Sequence, residues 1–275
     1  MQVLLNLTTT LLPLLYALAA VNYLVFFVHQ APFAQRTCTL FLAGTCLLHF
    51  AYLLLRVVHF ERSPIVGLPE LTTVIALAVA GVYLYVERIQ GNMFTGAFIV
   101  PMVALLQFSA SATMPETVNL KDDLLSSPLF GLHAVLAVLG YSAFAVGAVY
   151  GVMFLLLYRA LKRKTFGLLF NRLPSLDQLA NMGFWATFLG WLFLSATILL
   201  GVLMSLNAFP NFYRDAKFIG TVMVWMVYGA SVTAYFGLRW RGARLVYISL
   251  VGFVFALIAV MGSTYIWDSF HSFQA

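Results

Sequence analysis

Charge is what this sequence has least of. Of 275 residues only 24 are formally charged, 15 Lys or Arg and 9 Asp or Glu, where about a quarter is usual in a soluble domain. Cysteine is reduced to Cys38 and Cys46. They lie eight apart on one expected helix, about 12 Å along its axis, out of reach of a disulfide. A disulfide-stapled secreted scaffold is therefore excluded. No Cys-x-x-Cys, no Cys-x-x-Cys-His, no glycine-rich phosphate loop and no His-Glu-x-x-His occurs. Fixed-period repeats, low-complexity stretches and long linkers are absent too, so residues 1–275 are expected to form a single domain. What fills the chain is apolar: hydrophobic residues make up 63% and mean hydropathy is +0.95. That composition leaves no place for a disordered tail or a nucleic-acid-binding domain, and it identifies an integral membrane protein.

The few charges cut the chain into eight uncharged runs: 1–35, 37–55, 71–86, 89–115, 124–158, 178–213, 218–238 and 245–267. A spanning helix needs about 20 mainly apolar residues. The expectation is an all-α fold of eight transmembrane helices, with spans near 5–28, 37–57, 68–87, 92–113, 129–158, 180–206, 217–238 and 244–266. The runs are too long for barrel strands and show no period-2 alternation. The loops on one side carry ten basic residues (Arg36, Arg88, Arg159, Lys162, Arg163, Lys164, Arg172, Arg239, Arg241 and Arg244), and those on the other carry five. The positive-inside rule makes the ten-residue side cytoplasmic and turns both termini outward. The sequence pI of about 9.4 thus reports orientation within membrane lipid, not a nucleic-acid partner. The first span has no basic stretch before it and no small-residue cleavage site, so it is expected to be retained. Ser175 and Gln178 have the spacing of a capping box and predict a helix start. Gly147 and Gly151 fit small-residue helix packing.

Acidic and basic groups deep within the spans are not expected from these runs, which argues against ion-coupled transport. Histidine is then the residue type with chemistry to offer. His49 sits in the outer half of the second span, with Arg56 two helical turns further on the same face. Two readings stand for this pair. A neutral imidazole below a guanidinium suits haem, with iron on the one and propionates on the other. Equally, His49 is a helix-packing histidine and Arg56 reaches for headgroups. His133 opens the fifth span and His271 follows the eighth, both on the outer side, at depths compatible with opposite axial ligation of one iron. His59 lies in a neighbouring outward loop, and His29 at the cytoplasmic end of the first span is the weakest candidate. No nucleophile–base pair or carboxylate dyad is visible, so catalysis in the enzymatic sense is not expected.

Five ordered segments resemble one family. Leu132-His133-Ala134 with Gly140-Tyr141-Ser142-Ala143 resembles its histidine opening a span, and Leu176-Asp177-Gln178-Leu179 its Leu-Asp-x-Leu. Trp225–Tyr228, then Trp240–Arg244, resemble Trp-x-x-Tyr and Trp-Arg-Gly-x-Arg, and Ser269-Phe270-His271-Ser272-Phe273 its closing histidine segment. Together they make the chain similar to the cytochrome c assembly superfamily, the CcsA-like haem-handling membrane proteins, and most to the HemX/YpjD-like branch. The resemblance implies a multi-pass protein of the bacterial cytoplasmic membrane. It implies that haem b is held non-covalently by His133 and His271, with His49 in a second, transmembrane position and Arg56, Arg214, Asp215 and Lys217 as further cofactor contacts. Its partners would come from cytochrome c assembly or tetrapyrrole synthesis. Two departures temper it. The outward loop 207–217, tryptophan-rich in CcsA-type haem lyases, contains no tryptophan, and Gly237 stands where a second membrane histidine belongs. The expectation is therefore a haem-handling protein without an intact lyase platform. The alternative is a haem-free interaction protein that keeps the fold and contacts a partner through the basic 159–172 loop.

Overall fold

The computed structural model describes residues 2–60, 67–114, 127–208 and 211–265. Helices run α1 Gln2–His29, α2 Pro32–Phe60, α3 Leu68–Gln90, α4 Gly96–Ala112, α5 Pro128–Lys162, α6 Leu168–Arg172, α7 Leu176–Ala208, α8 Ala216–Phe236 and α9 Ala243–Tyr265. A 3-10 turn at Phe212–Arg214 precedes α8, and no strand occurs among the described residues. The protein is an all-helical, multi-pass membrane protein. Seven helices, all but α4 and the one-turn α6, are long and apolar enough to cross a bilayer. At 17 residues, α4 is about 25 Å long, somewhat short of a hydrocarbon core of about 30 Å.

Local chemistry sets the helix ends. Proline opens α2 at Pro32 and α5 at Pro128, where a missing N–H costs nothing. α3 closes on Gly91 in the left-handed region (φ 64°), its N–H returning to the Glu87 carbonyl, the glycine stop of an αL cap. The Ser175/Gln178 box forms at the head of α7: Gln178 N donates to Ser175 Oγ (3.3 Å), and Gln178 Oε1 accepts from Ser175 N (3.4 Å). Asp215 caps α8 through Oδ1, which accepts from the backbone N–H of Lys217 (2.9 Å) and Phe218 (3.2 Å).

Two groups of helices pack side by side. α1–α4 form the first, and α5, α7, α8 and α9 form the second; α3 joins them through α5 and α7. The closest seam lies between α5 and α7. A methyl group at Gly190 would come within 2.7 Å of the Phe144 ring and 2.9 Å of the Gly140 carbonyl, and one at Gly147 would lie 2.8 Å from Thr187 Oγ1. Without a hydrophobic drive between helices in lipid, such small-residue contact is what brings backbones together. Two tryptophans pack within this second group. Trp191 of α7 stacks on Trp225 of α8 at 5.8 Å, and Trp225 Nε1 donates to Ser195 Oγ at 2.7 Å. Phe184 stacks on Tyr235 at 3.5 Å.

A candidate haem-ligand position and a buried polar network

His133 lies in the second turn of α5, half-buried, with its ring against α7. Its Nδ1 is 3.0 Å from the carbonyl oxygen of Thr197. A carbonyl only accepts, so Nδ1 carries the proton and the ring's lone pair is on Nε2. Metal-ligating histidines are commonly held in this way, with the other ring N–H given to a backbone carbonyl. α7 makes room for the ring with Gly201, where a methyl group would lie 2.9 Å from His133 Cε1. Tautomer and cradle both fit an iron ligand.

Helix contacts bring further residues to the same end of the second group. Tyr141 Oη meets Thr221 Oγ1 of α8 at 3.5 Å. From that contact His133 is eight residues back along α5 and Asp215 six back along α8, about 12 and 9 Å toward the same end. Gly220 packs on Ala259 of α9, so the last turns of α9 run to this end as well. His271 lies outside the described residues. Arg214 is exposed with its guanidinium 5.7 Å from the Tyr213 ring centroid, and Lys217 is half-buried in the first turn of α8. Asp215 is buried, its carboxylate engaged as the α8 cap. His133 and this cationic segment therefore share one end of one helix group.

His49 and Arg56 belong to a different neighbourhood, the interior of α1–α4, and each is fully committed there. His49 is 0% exposed. Its Nε2 lies 2.9 Å from Thr73 Oγ1, and that hydroxyl donates to Gln107 Oε1 at 2.8 Å. Thr73 thus accepts from His49, which puts the imidazole proton on Nε2. Nδ1 in turn accepts from Tyr16 Oη at 3.0 Å, and Gln107 Nε2 passes the chain on to Ser111 Oγ at 3.1 Å. Five side chains from four helices form one line with both ring nitrogens of His49 in use.

Arg56 corrects the expectation that charge is absent from the interior. It is 5% exposed and pairs with Glu70 (1% exposed) of α3 at 2.5 Å. It also donates to Tyr52 Oη at 3.4 Å and lies 5.0 Å from the Phe60 ring centroid. The guanidinium faces a carboxylate inside the bundle, not headgroups. The expected 68–87 span already held Glu70 in its first turn; what the sequence did not show is that this turn buries it against α2. Glu87, at the other end of α3, is buried likewise. His59 Nε2 is 3.1 Å from Gln2 Oε1 on the exposed rim of α1. His29 is exposed at the end of α1. No group of three or more His, Cys, Asp or Glu converges as a metal cage among the described residues.

Residues 65–271 match the family model described as Cytochrome C assembly protein. The chain belongs to that family. Proteins named HemX and proteins named CcsA are both similar to it. It is 28% identical over 169 residues to Protein HemX of Brevibacillus brevis, a match that covers 61% of this chain and 62% of the relative. With Protein HemX of Bacillus subtilis it shares 25% over 219 residues, 78% of each. With the cytochrome c biogenesis protein CcsA of Heterosigma akashiwo it shares 21% over 259 residues, 82% of this chain and 80% of that one. The family match takes in His133, the 211–217 segment and His271; His49 and Arg56 precede it.

Proposed function

We propose that this member of the cytochrome c assembly family is a haem-handling protein of the bacterial cytoplasmic membrane, acting in cytochrome c biogenesis or tetrapyrrole metabolism. It crosses the membrane eight times, α4 included, with both termini outward. Haem b is cargo held without a covalent bond by His133 and His271, and its iron is the redox-active centre to be passed on or sensed. The observation that carries this reading is the His133–Thr197 contact, which presets the ligating tautomer. Arg214 and Lys217, at the same end, supply positive charge for propionates. Asp215 serves them by fixing the start of α8. At His49 a second haem position requires Tyr16 and Thr73 to release the ring and Glu70 to yield Arg56, so the inner site is subordinate to the outer one.

The test is haem content of the detergent-purified protein by absorption and pyridine haemochrome. His133→Ala and His271→Ala are expected to lose the Soret band. Retention of haem by both variants, at wild-type stoichiometry, contradicts the assignment.

The closed network at His49 and Arg56 favours a second reading, a haem-free protein that keeps the fold and binds an assembly or tetrapyrrole-synthesis partner through the basic 159–172 loop. Copurification of a partner that survives every histidine substitution, but not neutralisation of Lys162, Arg163 and Lys164, decides for it.

A further inference from the structure

Haem handling makes no use of Glu87. This carboxylate stands one turn before the end of α3 and is only 4% exposed. It accepts from three hydroxyls: Tyr23 of α1 at 2.8 Å, Thr39 of α2 at 2.5 Å, and Tyr83 of α3 itself. Three hydroxyls from three helices thus converge on one carboxyl group. No cation pairs with it among the described residues, where Arg56–Glu70 is the one ion pair. Arg36 and Arg88, close by in sequence, are exposed. The N-terminus of α4 abuts the cluster, with Gly96 so close to the Tyr23 ring and the Tyr83 hydroxyl that a methyl group there would overlap both. A helix terminus contributes only about half a positive charge, short of balancing a buried anion.

A second observation comes from the same spot. The hydroxyls of Thr95 and Tyr150 are buried with no hydrogen-bond partner, and both residues are 0% exposed. Thr95 immediately precedes Gly96, which packs on the Tyr83 hydroxyl, and Tyr150 of α5 belongs to the same buried cluster as Tyr23 and Tyr83. The Met93 carbonyl is 3.5 Å from the Tyr83 hydroxyl. Buried hydroxyls with no hydrogen-bond partner, in the same cluster as a carboxylate with no paired cation and a backbone carbonyl, are hard oxygen donors of the type that alkali and alkaline-earth cations take. One carboxylate matches one positive charge.

We propose that Glu87, Thr95 and Tyr150 bind a monovalent alkali cation, Na⁺ or K⁺, with the Tyr83 hydroxyl and Met93 carbonyl completing its oxygen shell. The ion bridges α3, the turn that leads into α4, and α5, and ties the first helix group to the second; α1 and α2 reach it through the Tyr23 and Thr39 bonds to Glu87. It lies one turn from a helix end, so it is reached without passing the bilayer midplane.

The test follows thermal unfolding of the full detergent-purified chain in NaCl, KCl and N-methylglucamine chloride at equal ionic strength. The unfolding temperature rises with the logarithm of Na⁺ or K⁺ and not with N-methylglucamine, and the two salt arms identify the ion. Above saturation each tenfold increase in the ion shifts the unfolding equilibrium about tenfold. Glu87→Gln abolishes that dependence. Tyr150→Phe and Thr95→Val move it to about tenfold higher concentration and leave the donors to Glu87 intact, so they decide the matter should Glu87→Gln not fold. Equal unfolding temperatures in all three salts overturn the proposal and leave a hydrated structural carboxylate. A Tyr150→Phe protein as stable as wild type with unchanged salt dependence overturns it equally.

Discussion

The Arg56–Glu70 pair makes a quantitative claim about the interior of the first helix group. Both side chains are almost sealed, at 6% and 2% exposure, with an aromatic ring on one side of the guanidinium and the Tyr52 hydroxyl on the other. Removal of one partner breaks a buried, charge-assisted pair in that setting. Arg56→Met and Glu70→Leu are each expected to cost about 3–5 kcal/mol, roughly two to nearly four decades in the unfolding equilibrium at 1.4 kcal/mol per decade. Arg56→Met/Glu70→Leu removes both charges of the pair together. Apolar replacement of an entire buried pair is often neutral or stabilising, so the double variant is expected to be more stable than either single one. A double-mutant cycle by equilibrium unfolding in detergent or bicelles reads the difference. Singles that lose less than about 0.5 kcal/mol, in the range of ordinary surface substitutions, refute the buried pair, as do singles whose losses simply add. The double variant also bears on function: it is expected to keep wild-type haem content, since Glu70 and not a propionate holds Arg56.

Three further outcomes follow from the geometry. Gly201→Ala puts a methyl group 2.9 Å from His133 Cε1, which lifts the ring off the Thr197 carbonyl; haem content is expected to fall severalfold by pyridine haemochrome while the far-ultraviolet spectrum stays helical. Gly190→Ala overpacks the α5–α7 seam against the Phe144 ring and the Gly140 carbonyl, and is expected to cost about 1–3 kcal/mol in the same unfolding assay. Asp215→Ala leaves the first N–H groups of α8 uncapped, at about 1 kcal/mol. Asp215→Asn recovers most of that loss, since Asn caps about as well as Asp, whereas a charge-dependent role would leave Asn as impaired as Ala.

The class of fold was legible because hydropathy and helix length are directly coupled in a bilayer: uncharged runs such as 1–35 and 124–158 have no soluble alternative. Local signals were legible on the same terms, as the Ser175/Gln178 box and the Gly147 packing position illustrate. Charge was misread for a specific reason. Glu70 and Glu87 stand at the two ends of the expected 68–87 span, and a charge map gives span-end residues to the membrane surface. Whether a carboxylate in the first or last turn faces outward depends on what the neighbouring helices offer, here Arg56 of α2 and the hydroxyls of Tyr23 and Thr39. None of these is adjacent in sequence. The two readings of His49 diverged for a like reason. Its partners Tyr16 and Thr73 lie 33 and 24 residues away, and only packing shows that both ring nitrogens are used. His133 was visible through its resemblance to the family segment, but its partner is a backbone carbonyl on α7, 64 residues on. Carbonyls carry no sequence signature. The trace that α7 did leave is Gly201, the missing side chain against which the ring rests.

The measurement that tests the central claim most directly is the oxidised and reduced absorption spectrum of the purified protein, with wild type beside His133→Ala and His271→Ala. The account predicts a Soret band in wild type, removed or strongly diminished in both variants and preserved in Arg56→Met/Glu70→Leu. A wild-type protein that is colourless and takes up no added haem contradicts it.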